Sequence, residues 1–414
     1  MSARPIAAAS PGAQWPIGLD SFFQPRRAAF WLLMFFLARG ALVTFDMFAT
    51  GYRVVPVTVM AGLLLWSLYT VPFLLLFRLL DLFEEHPPLA FVMAFAWGGL
   101  GAVYLAMPSN SAILGLCAKL VSPTFAAEWG AAMAGPITEE FLKPIGVVLI
   151  MQIARNQFQT PHSVLILGAL SGLGFQVVEN LGYTVNSAVH FDTESELAPV
   201  AINFVMRGLL NGLWSHAAYT TVAAFGVASF MFRRELSFAR RLGLALLYFL
   251  LAWGLHFVWN SPLFNDVIPG NGFGSMVLLT FLKGWPALVA VALIWRSASH
   301  AEGRHLRALA EHFVPERELI RDDERRRLGA PLRRLAKRRA LRRHYGRRAG
   351  LLKARLQREQ LRLVMLAGEF GRGERTRGHE AAIRLLRIEL DWLCAPRGAA
   401  PRANPQNNKR SSFQ

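Results

Sequence analysis

The chain has 414 residues, of which 53% are hydrophobic and 17% charged. That balance excludes an ordinary soluble enzyme and points to a polytopic membrane protein. The net charge of +18 sits at one end: residues 1–295 hold 15 Lys/Arg against 14 Asp/Glu, whereas residues 296–414 hold 30 against 13.

Arg26 and Arg27 precede a long apolar run with no clear cleavage site, so residues 1–27 read as an N-terminal cytoplasmic segment before a retained span. Eight hydrophobic segments approach or exceed the ~20 residues a bilayer requires: 28–48, 54–77, 89–107, 125–153, 164–189, 200–232, 242–262 and 275–295. The stretch Ala112–Val121 is too short to span and reads as an interfacial or loop helix. The expected fold is all-α: a polytopic membrane helical bundle of about eight transmembrane helices over 28–295, plus a basic helical cytoplasmic tail. Cys117 and Cys394 support neither a disulfide framework nor a cysteine-based metal motif.

Loop charges orient the bundle. With both termini inside, the inner loops carry Arg26, Arg27, Arg78, Arg155, Arg233, Arg234, Arg240 and Arg241. The outer loops carry Arg53 and Lys119 with Asp192, Glu194 and Glu196. The expected location is the cell inner (plasma) membrane, multi-pass, with N- and C-termini cytoplasmic.

The fourth segment contains Glu139 and Glu140, in Gly-Pro-Ile-Thr-Glu-Glu-Phe-Leu-Lys, with apolar residues on both sides. One charge near the bilayer centre costs roughly 2.5–3.5 kcal/mol on insertion scales. Neighbours on a helix are about 100° apart, so the two carboxylates point in different directions. Lys143 follows at i+4 and i+3 and can reach either. A buried Glu–Lys pair that only fixes packing explains one glutamate; the second is left over. The fifth segment places Phe175, Glu179 and Tyr183 on one face, with Asn180 adjacent. Its glycines 168, 172, 174 and 182 admit a close neighbouring helix. Taken alone, a structural Glu179 bonded across that interface reads equally well. The sixth segment holds Arg207, a counter-ion or clamp for a carboxylate, and His216; the seventh holds His256 and Asn260 one turn apart.

Carboxylates, imidazoles and an amide together suit hydrolysis. One glutamate, with Glu140 favoured, takes a proton from water and delivers it to the leaving amine. Histidine and asparagine stabilise the oxyanion. A metal-assisted form would use Glu179, His216 and His256 as ligands of Zn2+, leaving Glu140 as base; the residues do not choose between this and a metal-free mechanism. No His-Glu-x-x-His motif occurs, since His379-Glu380 is followed by Ile383. Gly274-Ser275 has no histidine-bearing span after it, which argues against a serine mechanism.

At these residues the chain resembles the PrsW family of intramembrane proteases, within the wider group that includes CAAX-prenyl endopeptidases. Glu139-Glu140-Phe-Leu-Lys143 resembles the family's Glu-Glu-x-x-Lys motif. Phe175, Glu179 and Tyr183 resemble its Phe-x-x-x-Glu-x-x-x-Tyr motif. His256-x-x-x-Asn260 resembles its histidine motif, where some members carry Asp at the last position, and His216 corresponds to a further histidine. The resemblance covers roughly 125–265. It implies an intramembrane endopeptidase, commonly a metalloprotease, whose partner is a membrane-anchored protein substrate in the lipid bilayer. A proton-coupled transporter using the same Glu/His chain is the main alternative, and a non-catalytic membrane scaffold the other.

In the tail, Leu328, Leu332 and Leu335, then Leu352, Leu356 and Leu363, form stripes at helical spacing. Residues 296–395 read as two or three basic amphipathic helices, and 396–414, rich in Pro, Asn, Ser and Arg, as disordered. Positive charge on the inner face suits anionic lipids. Nucleic acid is the weaker partner, because aromatic residues there are few: Phe313, Tyr345, Phe370, Trp392 and Phe413.

Overall fold

A computed structural model describes residues 22–80, 88–154, 157–158, 160–191, 195–265, 268 and 272–395. Arg155, Asp192, Glu194 and the tail 396–414 lie outside the described residues. All regular structure among the described residues is helical. The chain forms two compact units, one ending at Arg296 and the other beginning at Ser297.

The first unit contains α1 (Ala28–Val54) and α2 (Pro56–Leu80), then α3 (Pro88–Leu120). It continues with α4 (Pro123–Ile153) and α5 (Pro161–His190), then α6 (Leu197–Leu210). It ends with α7 (His216–Phe232), α8 (Phe238–Asn260) and the first half of α9 (Phe273–Phe313). Among the described residues, six of these helices are long and apolar enough to cross a membrane: α1, α2, α3, α5, α8 and α9. Helices α6 and α7 qualify together as a broken pair bent by 54°. The eighth expected span, α4, differs for a physical reason. Every eighteen-residue window within it contains at least three charged residues drawn from Glu128, Glu139, Glu140 and Lys143.

Two expectations are corrected here. Ala112–Leu120 is not a separate interfacial helix but the continuation of α3, which passes through a π-helical stretch at Trp97–Ala102. The sixth segment is not continuous: it breaks between Asn211 and Ser215, and His216 opens the next helix.

Helix α5 is the centre of the unit. In its most apolar window 83% of residues are buried, against 11% for α8. Small residues make this possible. A Cβ at Gly174 would overlap the Phe95 carbonyl, and one at Gly98 the Ser171 carbonyl, so α3 and α5 meet backbone to backbone. On the opposite side, a Cβ at Gly172 would strike the His216 carbonyl, so α7 is equally close. Gly182, expected to serve the same purpose, faces open space. The starts of α4 and α5 are locally encoded: Ser122 accepts from Phe125 N at 3.0 Å before Pro123, and Thr160 accepts from Ser163 N before Pro161.

The alternation of ends is visible in two contacts. Arg27, at the start of α1, donates to the Gln152 and Ile153 carbonyls at the end of α4. Glu196, before α6, accepts from Val57 N at 2.9 Å and Thr58 N at 3.1 Å at the start of α2.

The second unit contains the remainder of α9, then α10 (Asp322–Leu328), α11 (Pro331–Phe370) and α12 (Glu374–Leu393). Leu352, Leu356 and Leu363 are buried, as a packed stripe requires. Leu328, Leu332 and Leu335 do not share a helix: α10 ends at Leu328, and Leu332 in α11 is exposed. Helix α11 is broken at Gly346, whose φ of 86° suits a residue without a Cβ. Buried Glu324 accepts from Lys353 at 2.5 Å, Arg387 at 2.7 Å and Gln360 at 2.9 Å, tying α10 to α11 and α12.

Candidate active site

Four helices deliver the polar groups to one buried centre. Pro136 and Pro144 bracket the Glu139-Glu140 turn of α4, and each removes one i→i−4 hydrogen bond. Trp97 of α3 holds this segment: its indole donates to the Leu142 carbonyl at 3.1 Å, and its ring fills the space beside Gly146. Ser171 of α5 donates to the Lys143 carbonyl at 3.0 Å. The break at 211–215 puts His216 at the first turn of α7, with its ring directed into the centre.

Glu140 is fully buried and fully engaged. Its Oε1 lies 2.6 Å from Lys143 Nζ and 3.0 Å from His256 Nδ1, and its Oε2 accepts from Thr220 at 3.3 Å. Glu139 differs. Its Oε1 accepts from Asn110 Nδ2 at 3.1 Å, while Oε2 has no hydrogen-bond partner among the described residues. That oxygen lies 3.4 Å from His216 Nδ1 and 3.6 Å from Lys143 Nζ. Of the two glutamates within its reach, Lys143 therefore pairs more closely with Glu140 than with Glu139.

The imidazoles are held in opposite senses. His256 sits between Glu140 and Asn260: the Asn260 amide lies 3.2 Å from Nε2 and also reaches the Ala131 carbonyl at 3.2 Å. An amide N–H directed at Nε2 leaves the imidazole proton on Nδ1, donating to Glu140. Lys143 Nζ lies 3.1 Å from His216 Nδ1, and an ammonium has only protons to offer, so Nδ1 accepts. His216 Nε2 then donates to Glu179 Oε2 at 2.9 Å. The two rings meet edge to face with centroids 5.0 Å apart, and Tyr219 stacks on His256 at 4.9 Å.

Glu179 is clamped rather than central. The same Oε2 takes Arg207 Nη2 at 2.7 Å, while Arg207 Nε donates to Asn180 Oδ1 at 2.7 Å. The guanidinium lies 3.8 Å from the Tyr183 ring centroid. Phe175 completes the face, 5.1 Å from His216 and 4.7 Å from Lys143 Nζ, measured to ring centroids. Every site residue read from the sequence thus lies in this network. Missing from that reading were Asn110, which also accepts from Thr138, together with Thr220, Ser171 and Trp97. Only Asn110 left a signal: an amide in the short polar run Ser109-Asn110-Ser111 between apolar stretches.

The donor chemistry fits a divalent metal. Glu139, Glu140, His216 and His256 each offer one ligand atom, all within 4.8 Å of one another and buried. Carboxylates and imidazoles are ordinary zinc ligands, and the unsatisfied Glu139 oxygen is an open acceptor. This set differs from Glu179, His216 and His256: Glu139 and Glu140 converge with the two histidines, and Glu179 is not among the four.

The fold and this centre define a multi-pass helical membrane protein with a buried carboxylate–imidazole site. A family model described as PrsW family intramembrane metalloprotease matches residues 86–301, just over half of the chain. The chain belongs to the PrsW family of intramembrane metalloproteases. No curated protein and no solved structure matches it.

Proposed function

We propose that the protein is an intramembrane endopeptidase that cleaves membrane-anchored proteins by activating water beside α4. The observation that carries the reading is the asymmetry of the two glutamates. Both oxygens of Glu140 are bonded, Oε1 to Lys143 and His256 and Oε2 to Thr220, whereas Glu139 presents a free oxygen next to His216. This supports Glu139, rather than Glu140, as the group that takes the proton from water and passes it to the leaving amine. Asn110 holds its other oxygen and so fixes the direction of the free one. The N–H groups of His256 and Asn260 are directed at Glu140, at His256 Nε2 and at the Ala131 carbonyl, so Asn260 would reach an oxyanion by exchanging its bond to Ala131. Glu179 and Arg207 orient His216.

Glu140, His216 and His256, three of the four converging donors, would hold the metal that the family's description implies and leave Glu139 as the base; bound there, it would supply Lewis acidity and a more acidic water. The same Glu–Lys–His–Glu chain also suits a proton relay. Family membership, not geometry, favours proteolysis over transport. For topology we propose both termini in the cytoplasm and α4 as an eighth span, its charges facing the centre. The loop charges and the paired helix ends support that arrangement.

The test is cleavage of a single-span substrate by purified protein, comparing wild type with Glu139→Gln and Glu140→Gln, with and without a chelator. Loss of cleavage in both variants is expected, most completely in Glu139→Gln. Full activity in both would sink the reading.

A further inference from the structure

The centre already contains a cation. Lys143 is completely buried, and its Nζ lies 2.6 Å from Glu140 Oε1, 3.1 Å from His216 Nδ1 and 3.6 Å from Glu139 Oε2. These three side chains belong to the four that converge as metal donors. We propose that Lys143 is a built-in competitor of the metal: its ammonium holds the donor set together in the metal-free protein and must leave for a divalent ion to bind. The inference rests on the metal-holding part of the function proposed above.

Lone-pair accounting carries the argument. A neutral imidazole has one acceptor nitrogen. In His216 the Nε2 proton is directed at Glu179 and the Nδ1 lone pair at Lys143. An ion bound at Nδ1 takes the lone pair that the ammonium uses, so the two cannot share it. Charge points the same way. Arg207 matches Glu179 at 2.7 Å, which leaves the carboxylates of Glu139 and Glu140 facing Lys143 alone. With these two ionised, one ammonium leaves a negative charge uncompensated, and a divalent ion compensates both. An ion added without displacing the ammonium puts like charges against shared ligands in a dry site, which is costly. The Phe175 face, 4.7 Å from Nζ, is a surface on which the displaced ammonium can rest.

The experiment measures metal rather than cleavage, so failure of the protease reading does not decide it. Full-length protein in detergent is stripped with a chelator and titrated with Zn2+ against a competing chromophoric chelator. Lys143→Met is expected to bind zinc more tightly than wild type, on the order of 10–100-fold: the size by which changes beside metal ligands shift affinity, with the sign reversed because the group removed competes with the ion. Lys143→Arg, which keeps the cation, is expected to stay at or below the wild-type affinity. Adding Glu140→Gln to Lys143→Met should abolish the gain, which assigns the ion to this centre. If Lys143→Met needs metal to fold, protein made in zinc-supplemented cells should carry about one zinc per chain, as one such site requires. Equal or weaker zinc binding by Lys143→Met overturns the proposal. So does a variant that remains unfolded with zinc present, or zinc binding by neither protein.

Discussion

His256 Nδ1 lies 3.0 Å from Glu140 Oε1, a contact between α8 and α4 across 116 positions of sequence. With that proton committed to Glu140, Nε2 is an acceptor and Asn260 is its donor at 3.2 Å. Asn260 therefore has two separable tasks: fixing the ring, and, by exchanging its second N–H bond from the Ala131 carbonyl at 3.2 Å, offering a donor to a developing oxyanion.

If the oxyanion task dominates, Asn260→Ala lowers kcat on the order of 10²–10³-fold, as loss of one such donor does elsewhere, with little change in KM. Steady-state cleavage of a single-span substrate reads the split. A rise in KM at unchanged kcat would assign Asn260 to substrate binding instead.

The close approach of α3 to α5 makes a paired stability prediction. A Cβ at Gly174 meets the Phe95 carbonyl, a backbone atom that cannot rotate away. Gly174→Ala should destabilise the fold by about 1–3 kcal/mol or more, the usual cost of overpacking. Gly182, in the same helix, has nothing within 4 Å. Gly182→Ala should be neutral, or stabilising by up to about 1 kcal/mol through helix propensity. Unfolding midpoints of both variants in one detergent give the comparison, and equal midpoints would refute the contact.

Much of the site was legible because ionisable groups in an apolar helix demand partners. Glu139, Glu140, Lys143, Glu179, Arg207, His216 and His256 announce themselves in that way, and all lie in one network. The rest was not legible for specific reasons. Thr220 and Ser171 are hydroxyls that a membrane helix can satisfy on its own backbone, so their sequence context carries no signal. Which glutamate Lys143 prefers depends on rotamers, since both i+3 and i+4 are reachable. The break at 211–215 is set by tertiary contact: a Cβ at Gly212 would overlap the Tyr69 hydroxyl, and that hydroxyl accepts from Gln176 at 2.8 Å. The continuity of α3 past Pro108 escaped because a proline ordinarily reads as an end.

Glu324 makes the second unit sensitive to acid. Burial opposes ionisation of its carboxyl, but the charge of Lys353 and hydrogen bonds from Arg387 and Lys353 outweigh burial and hold it down at about 2. The folded value is below the ordinary 4.5, so its stabilisation is fully present above pH 4.5 and is lost as pH falls towards 2. A shift of this size corresponds to roughly 3 kcal/mol. Glu324→Gln should therefore loosen residues 322–393 at pH 7 and differ little from wild type near pH 2. Hydrogen exchange of peptides from α10 and α12, corrected for intrinsic rates, reports the difference; a gap that persists at pH 2 would count against this account.

The break in α11 at Gly346 leaves Arg342, Arg343, His344, Tyr345, Arg347 and Arg348 all exposed. Arg348 is paired with Glu389 at 2.5 Å, so Arg342, Arg343 and Arg347 are the better anion contacts. For a tail proposed to lie on the cytoplasmic side, the anions in reach are phospholipid headgroups, each nearby Lys/Arg contributing about 1 kcal/mol. Replacing these three arginines by glutamine should weaken binding of a 297–414 fragment to phosphatidylserine vesicles by about two orders of magnitude. The wild-type affinity should fall steeply with salt, because exposed charges more than a Debye length apart are screened. Binding that is equal on neutral vesicles, or unchanged by the triple substitution, would remove this surface as a lipid contact.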